Sequence, residues 1–167
     1  MKLQDATLDP EQLRAAMRAW TSGVTIVTAA RGSEQHGMTV SSFTSVSLEP
    51  PLIIISLQDS TRTRDLVYHA QAFGVTILAE NQQPISDLFA GRGAEAGNRL
   101  AGIETETLIT GSPLIKGGLV SFDCRVKQSM DVGPNTLFVG EVVAMSGSGA
   151  GKPLVYHDRK YYKLTDE

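Results

Sequence analysis

Short runs of β-branched residues, each closed by a turn signal, constrain this chain more than any other feature of its sequence. Valine, isoleucine and threonine lose side-chain freedom in a helix and pack well on a pleated surface, so such runs are typical of strands. They occur at 24–28, 38–43, 52–57, 73–78, 118–128, 136–145, 154–157 and 160–164. Because many follow one another at hairpin spacing, the pattern favours an antiparallel barrel or sandwich over a doubly wound parallel sheet.

Helical spacing appears in three places around these strands. Asp9, Pro10 and Glu11 supply an N-cap, a first-turn proline and a first-turn acid, which predict a helix reaching Trp20. A second helix is expected over 60–70, with Asp59 or Ser60 as its N-cap, and a third from Asn81 to Ala90. With these helices on its outside, the predicted fold is mainly β (α+β), in one domain spanning 1–167.

Three segments carry more specific predictions. The polar, glycine-bounded stretch 31–37 is expected to be the loop of a hairpin. The uninterrupted apolar run 52–57, which follows Pro50 and Pro51, predicts a strand buried on both faces. The glycine-rich stretch 91–102 is expected to be a loop that is either mobile or held by a partner.

Composition excludes several classes of protein. A formal charge of -3, from 15 basic and 18 acidic residues, makes nucleic acid a poor partner. The apolar runs are too short to cross a bilayer and no secretory signal is visible, so we predict no membrane partner and a cytoplasmic location. The single cysteine, Cys124, is expected to be buried and unreactive. His36, His69 and His157 do not share metal-ligand spacing, and we predict no metal site.

Two polar segments are candidates for ligand binding. Small hydroxyl residues dominate 37–47, where backbone N–H groups can approach a flat ligand closely; a half-exposed strand facing water is the alternative. The second segment joins a buried strand to a helix. Its hydroxyls, arginines and helix-start N–H groups suit a phosphate, although ordinary N-capping with solvated arginines explains them equally well. This segment comprises Gln58, Asp59, Ser60, Thr61, Arg62, Thr63 and Arg64.

Taken together and in order, six segments resemble the flavin reductase-like family, the small reductases that supply reduced flavin to two-component monooxygenases. They lie at 22–28, 37–43, 45–52, 73–78, 88–91 and 137–142. The resemblance implies an antiparallel split β-barrel of the FMN-binding type and a homodimer. It also implies FMN or FAD as the flavin, NADH or NADPH as the electron donor, and a monooxygenase component as partner. No catalytic side chain is predicted, because hydride passes directly between the cofactors.

The resemblance also assigns residues to the flavin. Thr39, Val40, Ser41 and Ser42 would line the ring and ribityl chain through backbone and hydroxyl hydrogen bonds. Ser60, Arg62 and Thr63 would hold the phosphate, within a cradle that includes Gln58 and Asp59. Phe89 and Ala90 would border the site.

One departure from the family pattern concerns the nicotinamide. Many members carry Gly-Asp-His where this chain has Gly133-Pro134-Asn135, and that histidine is associated with the nicotinamide. Asn135 can still form hydrogen bonds but carries no charge. His157 is a second candidate for this role. The alternative is that His157 is an ordinary surface residue on a strand. A flavin carrier or store without reductase activity therefore stays open, as does, more distantly, a hydrolase or a barrel-type interaction module.

Overall fold

The computed structural model describes residues 7–91 and 98–166. Within these ranges, helices are few and short, and none is long and apolar enough to cross a membrane. The helices are α1 (Pro10–Met17), α2 (Arg62–Ala70) and α3 (Gln83–Phe89). The strands are β1 (Ser22–Gly23), β2 (Thr25–Arg31), β3 (Glu34–Val40), β4 (Phe43–Leu48), β5 (Pro51–Gln58), β6 (Ala72–Ile77), β7 (Thr105–Glu106), β8 (Leu114–Ile115), β9 (Val120–Val132), β10 (Asn135–Ser146), β11 (Val155–His157) and β12 (Lys160–Tyr162).

A seven-stranded sheet in the order β3-β2-β6-β9-β10-β5-β4 forms the body of the protein. All its pairings among the described residues are antiparallel, as the hairpin spacing predicted. The smaller sheets β1-β11-β12 and β7-β8 lie beside it.

The two edge strands of this sheet are consecutive in the chain, although they lie at opposite ends of the strand order. Only Ser41 and Ser42 join β3 to β4, so the sheet must curl until its edges approach each other. Ser42 fixes this approach on the β4 side, because its carbonyl oxygen accepts from the Ser56 N–H at 3.2 Å and its hydroxyl donates to the Ser56 carbonyl at 2.7 Å. Because β3 is an edge strand, the backbone N–H and C=O groups on its open side do not pair with a neighbouring strand. A ligand can form hydrogen bonds with these groups.

The curled sheet encloses an apolar core whose largest fully buried side chains include Phe73, Phe138 and Ile55. Gly140 is required here, because a Cβ at this position would lie 2.4 Å from Cζ of Phe73. A second apolar cluster, which includes Phe89 and Leu154, lies beneath α3 and the small β1-β11-β12 sheet. The two clusters hold β2 and β3 between α2 and α3, and these four elements frame the candidate site.

Several local predictions are wrong, each for a structural reason. The hairpin at 31–37 exists, but pairing of Arg31 with Glu34 reduces its loop to Gly32 and Ser33. The run 52–57 is fully buried on one face only, because its alternate residues point out of the curled sheet. The predicted strand 38–43 is interrupted at Ser41 and Ser42, where the chain passes between sheet edges.

The helix boundaries also differ from those predicted. The first helix begins at Pro10 with Asp9 as its N-cap, as predicted, but ends at Met17 rather than Trp20. Thr61, rather than Asp59 or Ser60, caps α2. The third helix begins at Gln83, so Asn81 is not its N-cap. Much of the predicted 91–102 loop, residues 92–97, lies outside the described residues.

Cys124 is fully buried in β9, as predicted. Burial, with the neighbouring Asp123 as the smaller cause, raises the pKa of the Cys124 thiol to about 12. Since the thiolate is the reactive form, we expect Cys124 in the native protein to resist Ellman's reagent and to react once urea unfolds the chain. Rapid labelling of the native protein would contradict this prediction.

Candidate functional site

The main cleft, a cavity of about 540 Å³, lies between β3, the start of α2 and the end of α3. This volume suits a ligand of nucleotide size. Its lining is cationic and hydroxylic at one end and apolar at the other. The lining residues are His36, Met38, Thr39, Thr61, Arg62, Thr63, Phe89, Ala90 and Arg99.

The polar end of the cleft is built on the first turn of α2. The Thr61 hydroxyl caps the helix by accepting from the Arg64 N–H at 3.3 Å and donates to the Gln58 carbonyl at 2.8 Å. The N–H groups of Arg62 and Thr63 come before the first intrahelical bond, so they have no acceptor within the helix. Together with the exposed Arg62 side chain, they form a site chemically suited to a phosphate.

Arg99 supplies a second guanidinium from a distant part of the chain. Its Nη1 donates to the Phe89 carbonyl at 2.8 Å and, more weakly, to the Gly37 carbonyl at 3.3 Å. These bonds tie the end of α3 to β3 and fix the guanidinium in the wall of the cleft. Sequence reasoning missed Arg99, because it lies in a polar loop with no motif around it.

His36 lies between these two arginines. Its Nδ1 is 2.8 Å from the Thr63 hydroxyl, which joins β3 to the first turn of α2. Burial, followed by the charges of Arg99 and then Arg62, lowers the pKa of His36 below its usual 6.5. The apo protein therefore holds a neutral imidazole over a pH range in which an exposed histidine is partly charged.

This lowered pKa has a consequence for stability. As the pH falls below about 6.5, the unfolded chain takes up a proton at His36 before the folded chain does, so the apo protein loses stability until the folded-state pKa is reached. We expect His36→Gln to flatten this part of the stability curve, measured by urea unfolding across the range. His69→Gln, which removes an exposed imidazole outside the cleft, is the matched control. A His36→Gln curve as steep as that of the unmodified protein would contradict the prediction.

The apolar end of the cleft is formed by Met38 and Phe89. Phe89 packs tightly against β3 at Gly37, where an added Cβ would lie 2.9 Å from its ring. A second space of about 150 Å³, here called the middle pocket, has Thr39 and Ala90 in common with the main cleft and is also lined by Tyr156 and Tyr161. The polarity of the lining therefore suits a ligand that has both a flat apolar ring and an anionic group.

The structure brings some of the predicted flavin residues together. Thr39, Arg62, Thr63, Phe89 and Ala90 all line the main cleft. Ser41 lines the adjoining middle pocket. The Thr39 hydroxyl donates to the Ser86 carbonyl at 2.7 Å, so its proton is directed to α3 rather than into the cleft.

Other predicted residues lie elsewhere. Val40 is buried in the core, and the Ser42 hydroxyl donates to the carbonyl of Ser56 on β5. Gln58, Asp59 and Ser60 do not line the cleft; Asp59 instead accepts from the Thr136 hydroxyl at 2.8 Å.

The two nicotinamide candidates lie at different ends of the fold. Asn135 starts β10 opposite Gln58, and His157 lies on β11 with its Nδ1 2.8 Å from the Thr21 hydroxyl. Neither lines the main cleft or the middle pocket. Within the described ranges, no cluster of histidine, cysteine and acidic side chains has the geometry of a metal site.

A flavin reductase-like domain model matches residues 17–165, almost the whole chain. The chain belongs to the flavin reductase-like family. This flavin reductase-like protein is 36% identical over 163 residues to an NADH-dependent flavin reductase of a Rhodococcus species, covering 96% of this chain and 89% of the relative. It is 35% identical to the reductase component of the 4-hydroxyphenylacetate 3-monooxygenase of Thermus thermophilus, covering 92% and 96% of the two chains.

Solved structures agree with this family and with the predicted fold. The flavin reductase PheA2 matches with a TM-score of 0.87 and 31% identity, covering 95% of this chain and 100% of that one. The NADH:FAD oxidoreductase of Streptomyces globisporus, solved with NAD and FAD fragments, matches with a TM-score of 0.86 and 28% identity over 95% and 96% of the two chains. The prediction of a mainly β, antiparallel fold of the split-barrel type is therefore confirmed.

Proposed function

We propose that this protein binds FMN in the main cleft, reduces it with NADH and releases the reduced flavin to a monooxygenase partner. Its enzyme class, an NAD(P)H:flavin oxidoreductase, follows from the family and from relatives named as NADH-dependent flavin or FMN reductases. The finer choices, FMN rather than FAD and NADH rather than NADPH, are part of the proposal.

One observation supports the flavin pose above all. Two arginines and the first turn of a helix line the same cleft as the apolar side chains of Met38 and Phe89. Arg62 and the N–H groups of α2 would hold the phosphate, with Arg99 as a second cation. Phe89 and Met38 would pack against the ring and exclude water, while the β3 edge would offer it backbone hydrogen bonds. The flavin, when bound, would supply the hydride-accepting chemistry, and these residues would only bind and orient it.

An anaerobic titration tests this proposal. FMN is added to the apo protein, followed by NADH or NADPH, and the visible absorbance of oxidised flavin is recorded. We expect FMN to bind and its absorbance to bleach with NADH. Binding without bleaching by either donor would favour a flavin carrier or store, and failure to bind either FMN or FAD would overturn the proposed function.

The monooxygenase partner and the homodimer are also proposals. The reductase component from Thermus thermophilus supports the first. The second is supported by apolar side chains on the outer face of the β4 edge, where Val46 is 53% and Leu48 is 90% exposed. Light scattering of the purified protein measures the dimer directly, and a monomer at micromolar concentration would contradict it. The cytoplasmic location stays a prediction.

A further inference from the structure

His36 lies where three separate parts of the chain meet in the wall of the main cleft. It is on β3, and its Nδ1 is 2.8 Å from the hydroxyl of Thr63, a fully buried residue in the first turn of α2. Arg62 from α2 and Arg99 from the segment after α3 line the same cleft. Among the lining residues that the structure describes, His36 is the only one whose charge can change near neutral pH.

The charged groups that face His36 are both cations. Burial and, next, the charges of Arg99 and Arg62 hold the pKa of His36 below its usual value. The acidic residues on the elements packed around His36 lie outside the lining of the cleft. They are Glu34 on β3, Asp59 before α2, Asp65 on α2 and Asp87 on α3. The other titratable or basic residues of these elements also lie outside the lining, and they are Arg31, Arg64, Tyr68 and His69.

Binding of a phosphate would reverse this balance of charge. A phosphomonoester carries a charge of about −1.5 to −2 at neutral pH, enough to offset both guanidiniums. An anion close to a histidine favours the charged form of the imidazole. Because the Nδ1 of His36 is engaged by the Thr63 hydroxyl, Nε2 is the nitrogen through which an imidazolium would donate to the phosphate.

We propose that His36 takes up a proton from solvent when a phosphomonoester binds in the main cleft, and that the imidazolium so formed makes the site selective for FMN over FAD. This inference rests on the proposed function. In FAD the corresponding phosphate is esterified on both sides, so it carries only about one negative charge, less than a monoester does. Two guanidiniums and an imidazolium therefore match the terminal phosphate of FMN better than they match the phosphate of FAD.

Proton uptake is measured directly by isothermal titration calorimetry in buffers of different ionisation enthalpy. The titrations are run near neutral pH and without phosphate buffer, which would compete for the site. We expect FMN to bind with a net uptake of roughly 0.3–0.7 proton per site, the extent being set by the rise in the pKa of His36. Riboflavin has the same ring but no phosphate, so it should bind without uptake. This comparison uses the unmodified protein and needs no variant.

A variant then assigns the proton to its residue. His36→Gln keeps a side chain that forms hydrogen bonds but cannot become charged. We expect it to lose the uptake and to bind FMN roughly 10-fold more weakly, while its affinity for FAD changes by about three-fold or less. Quenching of flavin fluorescence measures both affinities. His69→Gln is the matched control, because this imidazole is exposed and lies outside the cleft; uptake and the preference for FMN should stay unchanged.

Three results would overturn the inference. They are FMN binding to the unmodified protein without net proton uptake, equal uptake in the His36→Gln variant, and an undiminished preference for FMN over FAD in that variant. Failure of the proposed function gives a different result, in which the unmodified protein does not bind FMN or is not bleached by either donor.

Discussion

Replacing Arg62 by glutamine is expected to weaken the binding of FMN by roughly 10- to 100-fold, the effect of losing a hydrogen bond between charged groups. Arg62 lines the main cleft at the first turn of α2, whose N–H groups have no acceptor within the helix. Riboflavin, which has the same ring but no phosphate, should bind the variant and the unmodified protein within about two-fold of each other, since the effect is confined to the phosphate. Quenching of flavin fluorescence on binding measures both affinities.

Arg31→Gln is the matched control for this prediction. Arg31 is exposed at the β2–β3 turn and does not line the cleft, so the loss of its charge should change FMN affinity only through long-range electrostatics. Parallel losses of FMN and riboflavin affinity in Arg62→Gln would show that the arginine supports the cleft as a whole. No loss for FMN would show that the phosphate lies elsewhere.

Replacing Asp123 by alanine is expected to destabilise the fold by about 3–5 kcal/mol, because three hydrogen bonds to a buried carboxylate would be lost. Asp123 is fully buried on β9. Its Oδ2 accepts from the N–H groups of Ile109 and Thr110 at 2.7 and 2.8 Å, and its Oδ1 accepts from the Thr110 hydroxyl. One carboxylate thus fixes the segment that leads into β8. A fall in Tm of roughly 10 °C corresponds to a loss of this size.

Two further variants make this prediction specific. Asp123→Asn keeps the shape of the side chain but replaces one acceptor oxygen by a donor, so it should be intermediate between the alanine variant and the unmodified protein. Asp166→Ala removes an acid that is 88% exposed and bonded to Lys152, and it should change stability by about 0.5 kcal/mol or less. A stability loss in Asp123→Ala no greater than that in Asp166→Ala would contradict the prediction.

Most of the strands could be predicted from the sequence, because β-branched runs and turn signals act locally. The same local reasoning failed at Ser41 and Ser42. Their sequence predicts that one strand continues, but in the structure they cross between the two edges of a curled sheet. It also misplaced the cap of α2, since Asp59, Ser60 and Thr61 are all good N-caps. Contacts of Thr61 with Gln58 and Arg64 decide between them.

The candidate site was predicted only in part. The segments around Thr39 and Arg62 were found, because hydroxyl-rich strands and helix starts with arginine have a recognisable chemistry. His36 and Arg99 were missed as members of the cleft. Their side chains reach it only because β3 lies against α2 and because Arg99 bonds the end of α3, which are relations between distant parts of the chain.

By itself the sequence determined the antiparallel strands, the buried thiol and, through six ordered segments, the family to which the chain belongs. Each of these depends on residues close together in the chain or on their order along it. Only the tertiary structure decided that Arg62, Arg99 and His36 share one cleft. This depends on the curl of the sheet, which local residue patterns do not encode.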